Sequence, residues 1–294
     1  MPGSVSGDDL EKVVRWLKRN RVILEPEEFL DGLNRDTLGE KHVVLSFDDT
    51  LRCQVDIAAP VLESENLKAV FNVSSSIFEG ELIMLEIYAR FRAKFFPIFE
   101  DFWTKFIEVV DEVFPGKSQG WFDDFPEQWL IDRKFYSRDQ RIFRYVRDTR
   151  LSQGEYSLIM NKMIELEPLF SVGDEASFSF MREEDILTLS KSGHSIGLHS
   201  HTHPTNLASL PLEAQKIEFS TNLDWVIKIT GVQPKWAAYP CGIYSKETVN
   251  ILSELNVQAA FRADLLCDSS LNRLELPREN HSSILEKVQQ ERIF

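Results

Sequence analysis

Short apolar runs alternate with amphipathic segments at both ends of the chain. The runs are rich in β-branched and aromatic residues, which is typical of strands buried in a parallel sheet. In chain order they read HVVLSFDD, LKAVFNVS, HSIGLHSH, WAAYPCG and VQAAFRA, and LNRLELPREN is predicted to supply the last strand. Strands and helices in regular alternation predict an α/β fold with a barrel-like parallel sheet.

Apolar residues at helical spacing mark the segments between these runs. Leu10, Val13, Val14 and Leu17 share one face of a predicted helix at 8–20, with Asp8 or Asp9 as its N-cap. Further helices are predicted at 26–33, 55–65, 182–193, 211–231 and 245–256, with Gly193 and Ser245 as caps.

The alternation stops at about residue 79 and resumes after 178. The segment between is mostly helical by pattern and rich in aromatic residues, as in YARFRAKFFPIFEDFWTKFIEVV. Aromatic residues at helical spacing favour an internal core, while a substrate-lining surface or a homodimer interface stays open as an alternative. We therefore predict barrel segments at 1–78 and 179–294 around a helical insertion at 79–178.

Charge and cysteine usage narrow the class of protein. The formal net charge of −14 disfavours binding to nucleic acid or to an anionic membrane surface, since both reward cationic faces. The N-terminal sequence lacks the pattern of a signal peptide, and no apolar run is long enough to span a membrane. Cys53, Cys241 and Cys267 are too few and too far apart for a disulfide framework, so we expect a cytoplasmic protein.

Acidic and imidazole side chains stand at the ends of two predicted strands. Asp48 and Asp49 follow VVLSF, and His199, His201 and His203 follow SIG. Strand ends of a barrel converge on one mouth, where a carboxylate and two imidazoles suit Zn²⁺ or a similar divalent ion. One aspartate would then bind the ion, and the other would accept a proton from water. Taken alone, an Asp-Asp pair is usually a helix cap or a turn, and His201 competes for the role of third ligand because alternate strand residues share a face.

Several stretches, in order, resemble the NodB-type polysaccharide deacetylases (carbohydrate esterase family 4). LSFDDT is similar to the family's SFDDG motif, GHSIGLHSHTHPTNL to its histidine motif, and WAAYPCG to its YPxG region. The resemblance covers roughly residues 8–78 and 178–280. It implies a distorted (β/α)-barrel and the metal-dependent removal of an acyl group, usually N-acetyl from an amino sugar.

The resemblance also implies roles for single residues. Asp48 matches the general base, and Asp49, His199 and His203 match the metal ligands, with Zn²⁺ expected first and Co²⁺ or Ni²⁺ as alternatives. The backbone N–H of Cys241 matches the oxyanion donor, and His281 is the candidate general acid, although no clear leucine-then-histidine motif precedes it.

Two positions depart from the family pattern. Thr50 replaces the common glycine after FDD, and Ala238 stands where an arginine usually tunes the general base. The sequence therefore predicts a cytoplasmic carbohydrate deacetylase acting on an amino sugar, a glycan precursor or a nucleotide sugar of surface-polysaccharide assembly. The alternatives are a hydrolase of non-sugar amides and an inactive carbohydrate-binding or scaffold protein.

Overall fold

The computed structural model describes residues 5–131, 136–265 and 272–290. Cys267 lies outside the described residues. The chain divides into two compact units, one made by Ile83–Phe178 and the other by the flanking segments up to Leu82 and from Ser179 onward. The second unit contains both motif stretches and is called the sheet unit below, and the first is called the helical unit.

The sheet unit is built on parallel strands. In chain order the strands are β1 (Val22–Ile23), β2 (His42–Val43), β3 (Ser46–Phe47), β4 (Val70–Val73), β5 (Ser195–Leu198), β6 (Trp236–Ala238) and β7 (Ala259–Phe261). The main sheet has the order β3-β4-β5-β6-β7, while β1 and β2 form a separate pair, and every pairing is parallel. This sheet forms part of a barrel, and all its strands end at the same edge.

Twelve α-helices lie in the described part of the chain. They are α1 (Gly7–Asn20), α2 (Pro26–Arg35), α3 (Ala59–Ser64), α4 (Met84–Phe95), α5 (Phe99–Val113), α6 (Arg138–Tyr145), α7 (Gln153–Glu165), α8 (Val172–Ser179), α9 (Glu183–Lys191), α10 (Leu212–Thr230), α11 (Lys246–Glu254) and α12 (His281–Gln290). None of them has the length and apolar character that a membrane-spanning helix requires.

The core of the sheet unit lies between the main sheet and its helices. β4 is buried along its whole length, and Phe71 on it belongs to the same buried apolar cluster as Leu198 of β5 and Phe219 of α10. Burying each such side chain stabilises the fold by about 1.5–3 kcal/mol, so the apolar runs become central strands. The central position of β4 and β5 places the residues that follow them inside the molecule rather than at its rim.

Two predicted helices begin differently in the structure. α1 is capped by Ser6, whose Oγ accepts a hydrogen bond from the Asp9 N–H at 3.1 Å, and not by Asp8 or Asp9. The segment 55–65 starts as a π-helical turn, Gln54–Ala58, before α3. Pro60 has no N–H to continue an α-helical ladder through this turn, which gives a physical reason for the wider spacing.

Two predicted strands also differ. The run HVVLSF is split, because His42–Val43 pairs with β1 while Ser46–Phe47 pairs with β4. In the run LNRLELPREN, residues 272–280 form a 3₁₀ turn at Arg273–Glu275 and a single parallel bridge between Leu276 and Phe261 instead of a strand. The prediction of a full last strand was wrong, since regular pairing is limited to Leu276, and the next bond, from the Arg278 N–H to the Asp264 carbonyl, is out of register.

The helical unit is held together by aromatic rings. Phe102, Phe106 and Phe143 are buried, and the Phe143 ring centroid lies 5.2 Å from that of Phe102 and 5.4 Å from that of Phe106. Edge-to-face contacts of this kind stabilise a core beyond their buried area. The interpretation of these residues as an internal core is confirmed.

Candidate metal centre

The two motif stretches meet at the carboxyl edge of the main sheet. Asp48 and Asp49 come directly after β3, and His199 comes directly after β5. β3 and β5 both pair with β4, so their ends lie one strand apart. The sheet alone brings residues that are about 150 positions apart in sequence to a common site.

Asp49, His199 and His203 form a compact triad. The Asp49 Oδ1 lies 3.1 Å from the Nε2 atom of His199 and 3.1 Å from that of His203. One ligand atom from each of the three residues lies within 4.8 Å of the others. Both imidazoles are buried, whereas the Asp49 side chain is 31% exposed, so the triad opens to solvent on the carboxylate side.

The hydrogen bond on the far side of His199 fixes which nitrogen faces the triad. The His199 Nδ1 lies 2.8 Å from the Ala238 carbonyl oxygen, which can only accept, so Nδ1 carries the proton. In the neutral imidazole the Nε2 lone pair is then directed at Asp49. A backbone carbonyl behind the ring is the usual outer partner of a metal-ligating histidine.

The donor set fits a divalent cation. Two imidazole nitrogens and one carboxylate are ligands that Zn²⁺ and related ions share, and three protein ligands leave positions open for water and substrate. The His203 Nδ1 is buried and has no hydrogen-bond partner among the described residues. His199 therefore has a fixed outer partner and His203 does not.

Asp48 has a separate set of partners. Its Oδ2 forms an ion pair with the Arg278 Nη2 at 2.6 Å, and its Oδ1 accepts a hydrogen bond from the Asn72 amide at 2.8 Å. Asn72 approaches β5 at Gly197, where a Cβ would overlap its side chain. The two neighbouring carboxylates thus face different groups, Asp49 the histidines and Asp48 an arginine.

These contacts decide the charge of the groups. Burial alone would raise the pKa of Asp48, but Arg278 and the nearby His199 outweigh it and lower that pKa below its usual range. Burial would likewise raise the pKa of Asp49, but the close contacts with His199 and His203 lower it, and the His199 Nε2 can donate to the carboxylate only when that ring is protonated. Burial disfavours the charged form of His199, yet Asp48 and Asp49 raise its pKa. Both aspartates are therefore carboxylates at neutral pH.

Arg278 is a residue of the site that the sequence analysis did not identify. It follows the Leu276 bridge to β7, and its guanidinium pairs with Asp48. Ala238 instead supplies the carbonyl that orients His199. In the sequence Arg278 stands two residues after Leu276, a spacing that places both side chains on the same face of an extended segment.

The other candidate residues lie as follows. Cys241 is half-buried in the turn Pro240–Gly242 directly after β6, with φ 54°. His281 is the exposed first residue of α12, and no described hydrogen bond or ion pair joins it to the triad or to Asp48. The His201 Nδ1 lies 2.9 Å from the Ser75 Oγ, and its Nε2 lies 3.9 Å from the Glu79 Oε2. The roles of the Cys241 amide and of His281 stay predictions.

Residues 162–260 match the sequence model described as polysaccharide deacetylase. No curated protein matches the chain in sequence. The matched residues include β5, β6 and the histidine stretch. This match confirms the resemblance to the polysaccharide deacetylase family that the motifs indicate.

Solved structures with the same fold cover nearly the whole chain. The deacetylase PplD of Streptococcus pyogenes, solved in complex with acetate, is 16% identical over 97% of this chain and 86% of its own, with a TM-score of 0.54. IcaB of Ammonifex degensii is 14% identical over 98% of this chain and 91% of its own, with a TM-score of 0.55. The deacetylase domain of BpsB from Bordetella bronchiseptica is 13% identical over 92% and 83%, with a TM-score of 0.51. The predicted fold class, a distorted (β/α)-barrel with additional helices, is confirmed.

Proposed function

We propose that the protein is a metal-dependent deacetylase that removes an N-acetyl group from an amino sugar, either free or within a glycan precursor. The observation that carries this proposal is the triad Asp49–His199–His203 beside an independently held carboxylate, Asp48. A bound divalent ion would lower the pKa of water and polarise the amide carbonyl. The match of residues 162–260 to the polysaccharide deacetylase model supports an N-acetylated sugar as the substrate class.

The chain's own residues divide the remaining work. Asp48 is an ionised carboxylate fixed on both oxygens, so it can accept a proton from an attacking water without first changing its rotamer. The Cys241 N–H is the proposed donor to the developing oxyanion. His281 remains the proposed proton donor to the leaving amine.

The ion pair of Arg278 with Asp48 supports the enzyme over the inactive alternative. Ala238 stands where the family usually has an arginine near the general base, and this difference taken alone favours the inactive alternative. Arg278 provides a guanidinium to the same carboxylate from another segment, at 2.6 Å. Burial would raise the pKa of Asp48, but Arg278 lowers it and keeps the carboxylate ionised, so that it is able to accept a proton, as a general base must. We include a cytoplasmic location, Zn²⁺ as the ion and the three segments 1–78, 79–178 and 179–294 in the proposal.

The proposal is tested by metal content and acetate release. Purified protein should hold about one divalent ion per chain and release acetate from at least one member of a panel of N-acetylated sugars and nucleotide sugars. Asp49→Asn should lose the metal, while Asp48→Asn should keep it and lose turnover. His201→Ala should keep the metal, because His201 faces Ser75.

Two outcomes would contradict the proposal. Loss of metal from His201→Ala together with retention by Asp49→Asn would show that the ligand set is wrong. Metal binding without acetate release from any sugar, combined with sugar binding that survives Asp48→Asn, would show a binding protein.

A further inference from the structure

The loop that carries both histidines of the triad packs against a polar face of α10. Gln215, Glu218 and Asn222 follow one another at helical spacing, and all three are buried, at 3%, 9% and 0% exposure. Buried polar side chains on a helix face need partners, and those of Glu218 and Asn222 come from the histidine loop, 199–203.

Glu218 binds the residue next to a triad histidine through two hydrogen bonds. The Thr202 N–H donates to its Oε2 at 2.8 Å, and the Thr202 hydroxyl donates to its Oε1 at 2.6 Å. Both carboxylate oxygens of Glu218 are therefore bonded to the same residue, Thr202. Since Thr202 immediately precedes His203, this contact fixes the backbone from which the His203 ring projects.

Asn222 performs the same task at the other histidine. Its Oδ1 accepts the His199 N–H at 3.0 Å, and its amide donates to the Val73 carbonyl at 3.0 Å. The side chain thus joins the ends of β4 and β5 at the point where His199 leaves the sheet. One helix contacts the loop on both sides of its left-handed residue Ser200, which has φ 61°.

We propose that Glu218 and Asn222 are positioning residues that hold the histidine loop in its metal-binding geometry before the ion arrives. The His203 ring has no outer hydrogen bond of its own among the described residues, so its orientation depends on the backbone that Glu218 fixes. This inference rests on the proposed metal-binding function. Groups behind metal ligands typically change metal affinity about 10- to 100-fold when they are removed.

The test compares single-residue variants of the whole chain, among them Asn222→Leu, which removes the bonds to His199 and Val73. Glu218→Leu removes both bonds to Thr202. Glu218→Gln keeps them, because the Thr202 hydroxyl can accept from the new amide while the remaining carbonyl oxygen accepts the N–H. Gln215→Leu is the matched control, since Gln215 is buried on the same helix and makes two hydrogen bonds, to the Leu210 carbonyl and from Thr248, neither of them to the loop.

The readouts are Co²⁺ affinity, the visible absorption spectrum of the Co²⁺ protein, and the thermal midpoint. We expect Glu218→Leu and Asn222→Leu to weaken Co²⁺ binding about 10- to 100-fold and to change the spectrum. Glu218→Gln should retain both. Gln215→Leu should lower the thermal midpoint but leave affinity and spectrum unchanged.

The outcomes separate this inference from the proposed function. A wild-type chain that binds no Co²⁺ would overturn both. Wild-type binding that is matched by a folded Glu218→Leu, or weakened equally by Gln215→Leu, would overturn the positioning role alone. Failure of Glu218→Gln to retain affinity would show that the negative charge matters rather than the hydrogen bonds. Should Glu218→Leu not fold, Thr202→Val removes one of the two bonds from the loop side, and unchanged affinity in that variant would overturn the inference.

Discussion

Left-handed backbone is concentrated at the candidate site. Several non-glycine residues there have positive φ angles: Asp49 at 74°, Thr50 at 56°, Ser200 at 61°, His203 at 55° and Cys241 at 54°. Each costs about 1–2 kcal/mol in a residue with a side chain and persists only where the surroundings enforce it. At Thr50 the surroundings include Ser74, whose N–H donates to the Thr50 Oγ at 2.8 Å. Thr50 therefore stands where the family usually has a glycine, and its hydrogen bond with Ser74 holds the left-handed backbone that a glycine would adopt without strain.

Arg278 is the residue whose replacement should separate metal binding from turnover. Arg278→Met removes the ion pair to Asp48 and leaves the triad atoms untouched. Because a general base must be held in place to act, we expect turnover to fall about 10- to 100-fold. Acetate release measured against substrate concentration gives the change in kcat.

The control for this change is metal affinity. Arg278→Met should bind Co²⁺ as the wild type does, and Arg278→Lys should recover part of the activity, since it keeps the charge but not the planar fork. Equal loss of metal and turnover would mean that Arg278 supports the triad and not Asp48.

The sequence indicated the triad and Asp48 because these residues stand directly at strand ends. Their positions depend only on where each strand stops and on the parallel sheet. Arg278, Glu218 and Asn222 were missed because each reaches the site from a helix or turn whose docking is decided by tertiary packing. Gln215, Glu218 and Asn222 were a detectable signal, since these polar residues recur at helical spacing among the apolar positions that predict the buried side of α10.

At the scale of elements, the apolar runs predicted strand positions but not strand partners. The run at 42–47 divides between two sheets, and Leu276 makes one bridge where a strand was predicted. Pairing is a contact between distant residues, so a local pattern cannot specify it. Caps and helix periods are local, and Ser245 does cap α11 as predicted.

A row of arginines organises part of the helical unit. Arg138, Arg141, Arg144, Arg147 and Arg150 recur every third residue along α6 and the π-helical turn after it. Arg141 is buried, and its Nη1 donates to the carbonyl oxygens of Glu127 at 2.7 Å and Trp129 at 3.0 Å. Arg141 thereby fixes the irregular segment that precedes α6 against this helix.

We expect Arg141→Met to lower the free energy of unfolding by about 2–3 kcal/mol, because two charge-assisted hydrogen bonds from a buried guanidinium to backbone carbonyls are lost. Chemical denaturation followed by circular dichroism measures the change. Arg138→Met is the matched control, since Arg138 pairs with the same Glu127 from an exposed position and should leave the midpoint unchanged. Similar losses in both variants would contradict the assignment of the stabilisation to Arg141.

His194 links the beginnings of two central strands. Its Nδ1 accepts the Ala69 N–H at 3.2 Å, just before β4 and β5. Burial, with a smaller effect from Lys68, lowers its pKa from 6.5 to about 4. The unfolded chain therefore binds a proton between about pH 6.5 and 4 that the folded chain does not, so stability is complete above 6.5 and falls as the pH decreases through this window.

Between pH 7 and 4 the free energy of unfolding should fall by about 3 kcal/mol on account of His194, because folding lowers its pKa from 6.5 to about 4. His194→Gln preserves an acceptor for Ala69 and has no proton to bind. Denaturation at a series of pH values should show a shallower acid dependence for this variant than for the wild type. Identical pH profiles would show that His194 is not the group responsible.

At the scale of the whole molecule, an ion bound to the triad would act as a cross-link between distant segments of the chain. Asp49 and the two histidines belong to loops after β3 and β5, so an ion bound to all three ties together segments about 150 residues apart. A ligand that binds only the folded state stabilises it by about 2.7 kcal/mol at a hundredfold excess over Kd. For a unit of this size that corresponds to a rise of about 5–10 °C in the thermal midpoint.

Thermal scans with Zn²⁺ and with chelator measure this rise, and variants locate its origin. Asp48→Asn should keep the full rise in the thermal midpoint, because Asp48 pairs with Arg278 and is not a proposed ligand. Asp49→Asn should abolish the rise, because Asp49 is a proposed ligand. Hydrogen exchange should report the added protection at 46–50 and 195–204, where the ligands are. If Zn²⁺ raises the midpoint equally in Asp49→Asn, the stabilising ion binds elsewhere, and Asp49, His199 and His203 form a hydrogen-bonded cluster rather than a metal site.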